Sequence, residues 1–537
     1  MAHVRQIVQT LVSLTMLALA CGVPQAGWGS QVWQAEKVIA VGDIHGAYSE
    51  LVELLTGIGV LDEQLRWAAG DAHFVSVGDL LDRGAQSKRV MDLFMRMTHE
   101  AQAAGGRVHV LLGNHEAMNL TGTLRDVSNG EFAALGGLEG HTRAFAIEGK
   151  YGRWLLSLPV MVIVNDSLFV HGGVTTTLDG LELVNAGVRR DLIALKEVGD
   201  AMRAEGLLTT DQNYFDIDPE ELPAHVEPER FLAARNSSLL GDWGPFWYRG
   251  NALCHPLLER GGFRQTLQRF GVQRIVVGHS PTPTREIESR FDGGLLLIDT
   301  GMLKSTYRGN PRALEINHGR VRALTPGGVG KIVDRHANRR LVLQGLRTGK
   351  LTRTEKGLTL TSDGKHITAD AMRLSARERR RWLAAMALDE YLGTGFVVPL
   401  AEREVDDRKL LLMQRVRLTW QAERSGGRVN HCERGSDFDL VRVFDSLLGM
   451  TARSAQNLGY QKGTDQIYLA GWEEAFGAAD RLPEYASDPV LPAAIRPALA
   501  RLDLDTLQDL LGDLLKPREM RAMLKRRDRI LQWPSEQ

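Results

Sequence analysis

Cysteine is scarce in this chain, which has three in 537 residues. Two of them, Cys254 and Cys432, lie far apart in the sequence and in regions of different pattern, so we predict no disulfide framework. A small disulfide-stapled scaffold is therefore excluded, and the fold must depend on a buried apolar core. At a prior of ~150 residues per domain, the length predicts two or three domains.

An excess of charge of one sign is also absent. The chain has 65 Lys and Arg against 66 Asp and Glu, a formal net charge of −1. Proteins that bind nucleic acid or anionic membranes through a global field carry a basic excess. We therefore expect no nucleic-acid partner.

The apolar stretch near the N-terminus, from Leu11 to Ala20, is shorter than the ~20 residues that span a bilayer. Arg5 precedes it, and Ala18-Leu19-Ala20 offers small residues at a signal-peptidase spacing. We predict a signal peptide over residues 1–30 and an exported protein, periplasmic or envelope-associated. Cys21 follows directly, which leaves open a lipoprotein tethered to a membrane through a lipidated Cys21.

Short β-branched runs recur along the first half, and each ends in a glycine-bearing polar turn. Nearly continuous apolar strands are typical of sheets covered on both faces. Helical patterns at Tyr48 to Ile58 and Lys88 to Ala104 lie between some of them, which predicts a layered α/β architecture. The predicted strands are Val38 to Val41, Phe74 to Val77, Val108 to Leu112, Ser167 to Val170 and Arg274 to Val277.

The polar turns carry the chemistry, since α/β sheets bind ligands at the carboxyl ends of their strands. Oxygen and imidazole donors without thiolates suit Mn, Fe or Zn, and their number predicts two divalent or trivalent ions. Two ions would activate a shared water for hydrolysis. The candidate metal ligands are Asp43, His45, Asp79, Asn114, His171 and His279.

The five polar turns that follow the predicted strands begin at Gly42, Gly78, Gly113, His171 and Gly278. In order and spacing, these turns resemble the motifs of the phosphoprotein phosphatase family of calcineurin-like metallophosphoesterases. The resemblance runs from Lys37 to Leu324 and implies a layered β-sandwich flanked by helices. It implies that Asp43, His45 and Asp79 hold one metal and that Asp79, Asn114, His171 and His279 hold the other. It also implies that His115 is the general acid, that Asp82 orients it, and that Arg83 and Asn114 bind the phosphate.

Two stretches, Asn114 to Gly122 and Gly244 to Gly250, resemble the Shewanella-like phosphatase branch of that family. This match implies that Arg249 is a second phosphate-binding arginine, although an ordinary surface cation is the alternative. Thr123 departs from the acidic residue expected in that branch. Glu116 either supports the site from behind or, as we slightly favour, is a helix N-terminal acid placed by the dipole.

Composition and the resemblance together predict three parts: the signal peptide, the domain over residues 31–328 that resembles metallophosphoesterases, and a C-terminal accessory domain over 332–537. Within the second part, residues 174–243 look like a helical insertion over the site, and Thr325 to Gly330 has linker composition. The basic cluster Arg377 to Arg381 alternates with Glu378 and predicts a solvated helix face.

The C-terminal domain is predicted to be α+β and faintly resembles a bacterial protein-kinase-like family, through stretches such as Ala387 to Gly393 and Val443 to Gly449. The alternative is an unrelated accessory fold. That resemblance implies an inactive, pseudokinase-like module, because the positions of the essential lysine, glutamate and two aspartates hold other residues. Those residues are Arg373, Trp382, Ala452 and Gly471, and only Asn457 is retained from the catalytic loop.

The resulting prediction is a metal-dependent phosphatase, of serine/threonine or tyrosine type, that hydrolyses phosphate monoesters. Its implied substrate is a phosphorylated protein or a small phosphate monoester. Two alternatives remain open: a phosphodiesterase or dinucleotide polyphosphate hydrolase, and a catalytically silent envelope binding or scaffold protein.

Overall fold

The computed structural model describes most of the chain beyond the predicted signal peptide. The signal peptide, Cys21, Ala452 and part of the predicted insertion lie outside the described residues. The described residues are 32–209, 212, 217–218, 220, 222, 227–354, 357–362, 364–405, 407–420, 432, 436–450, 453–461, 466–482 and 490–535.

The strands follow the predicted β-branched runs closely in the first half of the chain. In chain order they are β1 (Val32–Trp33), β2 (Lys37–Val41), β3 (His73–Ser76), β4 (Arg107–Val110), β5 (Met161–Val164), β6 (Ser167–Val170), β7 (Arg274–Val277), β8 (Ile287–Arg290), β9 (Leu295–Leu297), β10 (Ala313–Asn317), β11 (Arg320–Thr325), β12 (Gly328–Val329), β13 (Ile332–Asp334), β14 (Lys350–Thr354), β15 (Gly357–Ser362), β16 (Lys365–Met372), β17 (Leu400–Val405), β18 (Arg408–Gln414), β19 (Leu418–Trp420), β20 (Leu458–Gln461) and β21 (Ile467–Leu469).

Helices separate many of these strands. In chain order they are α1 (Tyr48–Gly57), α2 (Ser87–Ala103), α3 (Asn114–Thr121), α4 (Asn129–Leu135), α5 (Gly137–Ala144), α6 (Lys150–Leu155), α7 (Leu181–Ala204), α8 (Pro228–Arg235), α9 (Gly250–Leu253), α10 (Pro256–Phe270), α11 (Lys304–Tyr307), α12 (Arg335–Thr348), α13 (Ala376–Leu392), α14 (Asp437–Leu448), α15 (Arg496–Ala500), α16 (Leu504–Leu511) and α17 (Pro517–Ile530).

Two sheets form the first part of the molecule. One has the strand order β1-β5-β6-β7-β9-β8-β13 and the other β12-β11-β10-β2-β3-β4. Side chains alternate along β2: Val38 and Ala40 join the buried cluster that holds residues of both sheets, whereas Ile39 and Val41 join the cluster shared with the helices. The predicted layered β-sandwich flanked by helices is thereby confirmed.

The strands that lead into the polar turns run parallel within each sheet. β2 pairs with β3 and β3 with β4 in one sheet, and β6 pairs with β7 in the other. Parallel neighbours end at the same edge, so the turns that follow them gather there.

The sandwich ends later than its composition suggested. Gly328–Val329, inside the predicted linker, pairs as an edge strand with β11, and Ile332–Asp334 adds to the other sheet beside β8. The chain therefore leaves the sandwich after Asp334. Short polar strands at a sheet edge have the same composition as a linker. Composition alone therefore does not distinguish an edge strand from a linker.

The C-terminal part is α+β, as predicted. An antiparallel sheet of order β14-β15-β16-β18-β17 packs against α12, and a smaller sheet of order β19-β20-β21 lies with the remaining helices. A core separate from that of the sandwich is built from α13, α14 and the last three helices. Trp382 lies buried in this core and donates its indole N–H to Glu473 Oε1 at 3.0 Å.

The two cysteines for which we predicted no disulfide framework are bonded to each other, so that prediction is wrong for this pair. Cys254 and Cys432 are bonded, with Cα atoms 5.5 Å apart across a sequence separation of 178 residues. Cys254 caps α9 in the sandwich part, and Cys432 precedes α14 in the C-terminal part. The pair could not be recognised from the sequence, because the two cysteines are far apart along the chain and the packing of the two parts brings them together.

Other contacts reinforce that junction. The backbone N–H of His255 donates to Asp437 Oδ1 at 3.3 Å, and the His255 imidazole lies 2.6 Å from the carbonyl oxygen of Thr394. Leu258, from α10, is buried in the C-terminal core. The two parts are thus joined by a covalent bond, polar contacts and shared apolar burial.

The basic cluster on α13 is only partly a solvated face. Arg377 and Arg380 are exposed, but Arg381 is buried and donates to the carbonyl oxygen of Glu473. The helical period turns this one arginine inward. Within the described chain, no helix combines the length and the apolar character that crossing a membrane requires.

Candidate active site

The five predicted polar turns meet at one edge of the sandwich. Asp43 follows β2, Asp79 follows β3, Asn114 begins α3 just after β4, His171 follows β6 and His279 follows β7. All five side chains are buried. The fold therefore brings together residues that are separated by up to 236 positions in the chain.

Asp79 lies at the centre of this cluster. Donor atoms of His45, Asp79 and His115 lie within 4.8 Å of one another, and so do those of Asp79, His171 and His279. Asp79 Oδ1 is 3.3 Å from His171 Nε2, and Asp79 Oδ2 is 3.7 Å from His45 Nε2. Each carboxylate oxygen faces a different group, which is the position of a ligand that bridges two ions.

The second group is crowded with ligand atoms. His171 Nε2 lies 2.9 Å from Asn114 Oδ1 and 3.2 Å from His279 Nδ1. One ring nitrogen cannot satisfy an amide oxygen, a carboxylate and a second imidazole with a single proton. His279 Nε2 is buried without a hydrogen-bond partner among the described residues. This donor set fits a divalent cation better than it fits hydrogen bonding alone.

The first group includes Asp43, whose Oδ2 lies 3.9 Å from His45 Nε2. Asp43 also accepts the backbone N–H of His279 at 2.9 Å, which ties β2 to β7 across the two sheets. Burial and the charges of Asp299 and Asp79 raise the pKa of Asp43 well above its ordinary value. A cation beside these carboxylates would relieve their repulsion.

Asp299 is a site residue that the sequence reasoning missed. It is buried beside Asp43, and its Oδ1 accepts the N–H of Gly301 at 2.9 Å. It follows the apolar strand Leu295–Leu297 and precedes a glycine. The same pattern that identified the other turns was therefore present here too.

Two imidazoles of the cluster, those of His45 and His279, are held in their neutral form. Burial lowers the pKa of His45 to about 3. Burial and the charge of His171 lower the pKa of His279 well below its ordinary value. Neutral imidazole is the form that binds metal, so these rings need lose no proton to act as ligands.

His115 is oriented by a chain of buried hydrogen bonds. Its Nδ1 lies 2.6 Å from Asp82 Oδ2, and Asn119 Nδ2 donates to Asp82 Oδ1 at 2.9 Å. His141 Nε2 lies 2.9 Å from Asn119 Oδ1, a contact that the sequence did not indicate. Burial opposes protonation of His115, but the charges of Asp79 and Asp82 outweigh burial and raise its pKa. Asp82 thus fixes the imidazole and favours its protonated form.

Glu116 fills both roles that we weighed: it is the acid of the first turn of α3, whose N-terminus it caps, and it also supports the ligand cluster. Its carboxylate accepts backbone N–H groups from Gly113 at 2.7 Å, Asp79 at 2.8 Å and Leu80 at 2.8 Å. The side chain therefore fastens two of the motif turns together. Burial and the charge of Asp79 raise its pKa to about 7.

The two predicted phosphate-binding arginines lie beside the cluster in different settings. Arg83 is exposed, and its Nη1 lies 3.0 Å from His45 Nε2. Arg249 is half-buried, and its Nη1 donates to the carbonyl oxygen of His279 at 2.6 Å and to Ser280 Oγ at 3.1 Å. Arg249 is therefore not an ordinary surface cation, and burial lowers its pKa.

Tyr307 forms a wall of the site that the sequence did not indicate. Its ring stacks on His45 with centroids 5.5 Å apart, and the Arg83 guanidinium lies 5.3 Å from the ring centroid. Its hydroxyl is buried without a hydrogen-bond partner among the described residues. It restricts the orientations available to both neighbours.

The backbone of the cluster is held in an uncommon conformation. His45, Asp79 and His279 have left-handed φ angles of 50°, 52° and 62°. Such angles are costly outside glycine and tend to occur at functional sites. The turns also pack tightly, because a Cβ on Gly113 would lie 2.3 Å from Asp79 Oδ1.

Fold and site together define a class of protein. The family model described as calcineurin-like phosphoesterase matches residues 36–283, and that range contains every residue of the two ligand groups. An uncharacterized protein of Schizosaccharomyces pombe is 32% identical over 287 residues, covering 52% of this chain and 77% of its own length. The chain belongs to the calcineurin-like metallophosphoesterase family.

More particularly, its relatives include Shewanella-like phosphatases. Shewanella-like protein phosphatase 1 of Plasmodium berghei is 25% identical over 296 residues, covering 54% of this chain and 74% of its own length. The crystal structure of a cold-active protein-tyrosine phosphatase of a psychrophilic Shewanella species has 26% identity and a TM-score of 0.43, with 56% of this chain and 80% of that chain covered. The predicted resemblance to this branch is confirmed for the sandwich part.

Proposed function

We propose that this chain is a metal-dependent phosphomonoesterase acting on phosphorylated proteins. The observation that carries the proposal is the contact between His115 and Asp82 at 2.6 Å, placed beside a donor cluster that is shared through Asp79. A proton donor beside a metal-ligand cluster suits the cleavage of an ester to an alkoxide leaving group.

The residues that would hold the metal pair are Asp43, His45, Asp79, Asn114, His171 and His279, whereas His115 of the first group is kept as the proton donor. When bound, a pair of such ions clamps phosphoryl oxygens and makes hydroxide available near neutral pH. Manganese, iron and zinc all suit these donors, and the donor set favours no one of them.

The chain's own side chains supply the remaining steps. Arg249 is held in place by the His279 carbonyl and Ser280, and Arg83 lies beside His45 and the Tyr307 ring, so that both guanidinium groups flank the cluster. Planar guanidinium groups bind the oxygens of a phosphate monoester in bidentate fashion. His115 then donates its proton to the leaving oxygen while Asp82 stabilises the imidazolium.

Relative rates on a monoester and a diester test this assignment. We expect the manganese-loaded protein to hydrolyse p-nitrophenyl phosphate faster than bis-p-nitrophenyl phosphate, because two arginines match the extra charge of a monoester. Faster diester turnover would favour the phosphodiesterase alternative. Stoichiometric metal without turnover of any ester would favour a binding or scaffold protein.

We also propose that the protein works in an oxidising, exported compartment, with the C-terminal part docked beside the active site. The Cys254–Cys432 bond supports both ideas, since structural disulfides persist outside the cytoplasm. Cys254 caps the short helix α9, whose other end is capped by Arg249. A kinase-like, catalytically inactive module is the form we propose for that part.

A further inference from the structure

A cavity of about 110 Å³ opens beside the metal-ligand cluster, and most of its lining side chains are apolar. The polar part of the lining comes from Asn114, Thr121, Thr123 and Arg125. Asn114 and Met118 of α3 form one side, and Trp247 forms another. The Trp247 ring lies edge-on to His279, with centroids 5.7 Å apart. Protein interiors are close-packed, so a mostly apolar space of this size next to a reaction centre indicates room kept for a ligand.

The far wall of the cavity comes from the predicted insertion. Leu192 and Leu195 of α7 line it, and both are buried. Thr123 lines the cavity at a half-buried position. Because these residues lie outside the ligand groups, they shape what enters without taking part in the chemistry.

The cavity lies on a different face of α3 from the proton donor. Asn114, Met118 and Thr121 line it at helical spacing, whereas His115 and Asn119 turn toward Asp82. The ester oxygen must lie at His115, so the phosphorylated residue itself points to that other face. A neighbouring residue of the same peptide is the group that reaches the cavity.

We propose that this cavity is a specificity subsite for a large apolar side chain next to the phosphorylated residue of a peptide substrate. The inference rests on the proposed phosphatase function and names the substrate feature that the site selects. The sulfur of Met118 also accepts a hydrogen bond from Asn114 Nδ2 at 3.8 Å, so the cavity wall contacts a candidate metal ligand directly.

A matched pair of phosphopeptides, with leucine or alanine flanking the phosphorylated residue, tests this subsite. We expect the manganese-loaded wild-type chain to prefer the leucine peptide by at least about tenfold in kcat/KM, as burial of a few methylenes in a pocket can give. Leu195→Trp fills the cavity and should reduce that preference to less than about twofold. Turnover of p-nitrophenyl phosphate, which has no flanking residue to occupy the cavity, should stay within about twofold of wild type.

Leu183→Trp is the matched control, because Leu183 is 69% exposed on the same helix. Thr123→Trp blocks the cavity from its half-buried position and serves if Leu195→Trp does not fold. Retained preference in the filled variants, no preference in wild type, or an equal loss on both kinds of substrate would each overturn the subsite. Absence of turnover on every phosphate monoester would instead overturn the proposed function.

Discussion

Single residues fix the geometry of the metal-ligand cluster, and Glu116 does so without being one of the proposed ligands. Its two carboxylate oxygens accept three backbone N–H groups from two motif turns. Glu116→Gln replaces one oxygen by a donor that repels an N–H. We expect metal affinity about 10- to 100-fold weaker, as for other partners that orient ligands, measured by competition with a chelating dye. Glu148→Gln is the control, since its side chain is 84% exposed, and equal affinities would contradict this role.

Glu131 gives a pH-dependent stability effect outside the ligand cluster. Burial and the charge of Asp82 raise its pKa from 4.5 to about 8, while Ser87 Oγ donates to Oε2 and Oε1 has no partner among the described residues. Between those pH values the unfolded chain ionises Glu131 and the folded chain keeps it protonated. Stability is therefore lost as pH rises through this window, and the cost is complete above the folded pKa.

We expect Glu131→Gln to remove that cost. Since one pKa unit corresponds to ~1.4 kcal/mol, the variant should be more stable than wild type by a few kcal/mol at pH above 8 and equal to it near pH 4.5. Denaturant unfolding at both pH values measures the difference. If the difference in unfolding free energy between wild type and Glu131→Gln did not change with pH, Glu131 would be ionised in the folded chain.

The sequence predicted which candidate ligands the fold brings together, because each follows an apolar strand and carries a chemically specific side chain. Asp299 fits the same rule and was overlooked, whereas His141 and Tyr307 carry no such signal. Both reach the site by packing, which no local pattern encodes. The helix N-terminal role favoured for Glu116 is confirmed, but its further contacts with the turn after β3 could not be predicted, because they also arise from packing.

At the scale of elements, the close approach of two turns fixes the site. A Cβ at Gly113 would lie 2.3 Å from Asp79 Oδ1 and 2.5 Å from Asp79 N. Gly113→Ala must push the turn after β3 away from α3. We expect kcat/KM for p-nitrophenyl phosphate to fall by about 100-fold, because a displacement of ~1 Å at a reaction centre has that effect.

The control for Gly113→Ala is Gly327→Ala in the exposed turn before β12. A Cβ there would meet only Thr325 Oγ1, at 4.0 Å. Unchanged activity in Gly113→Ala would mean that the turn relaxes without moving Asp79. At this scale, the five strands that we predicted were placed to within about two residues, whereas the linker was misread because the edge strands Gly328–Val329 and Ile332–Asp334 are short.

At the scale of the whole molecule, the disulfide connects the sandwich to the C-terminal part. The bond closes a loop of 178 residues, so it restricts the unfolded chain strongly. We expect Cys432→Ser to lower the free energy of unfolding by ~2–4 kcal/mol relative to oxidised wild type. Denaturant unfolding with and without a reducing agent measures this.

Reduced wild type should behave as Cys432→Ser does, and the reductant should leave the variant unchanged. If the reductant lowered the stability of wild type and of Cys432→Ser by the same amount, the stabilisation would not come from the Cys254–Cys432 bond. The pairing could not be predicted, because two cysteines in differently patterned regions meet only through the packing of His255 and Leu258 against the C-terminal part. The layered sandwich, in contrast, followed from local strand pattern.

Metal content tests the central claim most directly. After loading with manganese and removal of free metal, wild type should retain about two ions per chain, as two-metal hydrolases do, because Asp79 joins both ligand groups. Asp79→Asn should retain fewer than about one, since it weakens both groups at once. Equal metal content in wild type and Asp79→Asn, or none in either, would contradict a metal pair bridged by Asp79.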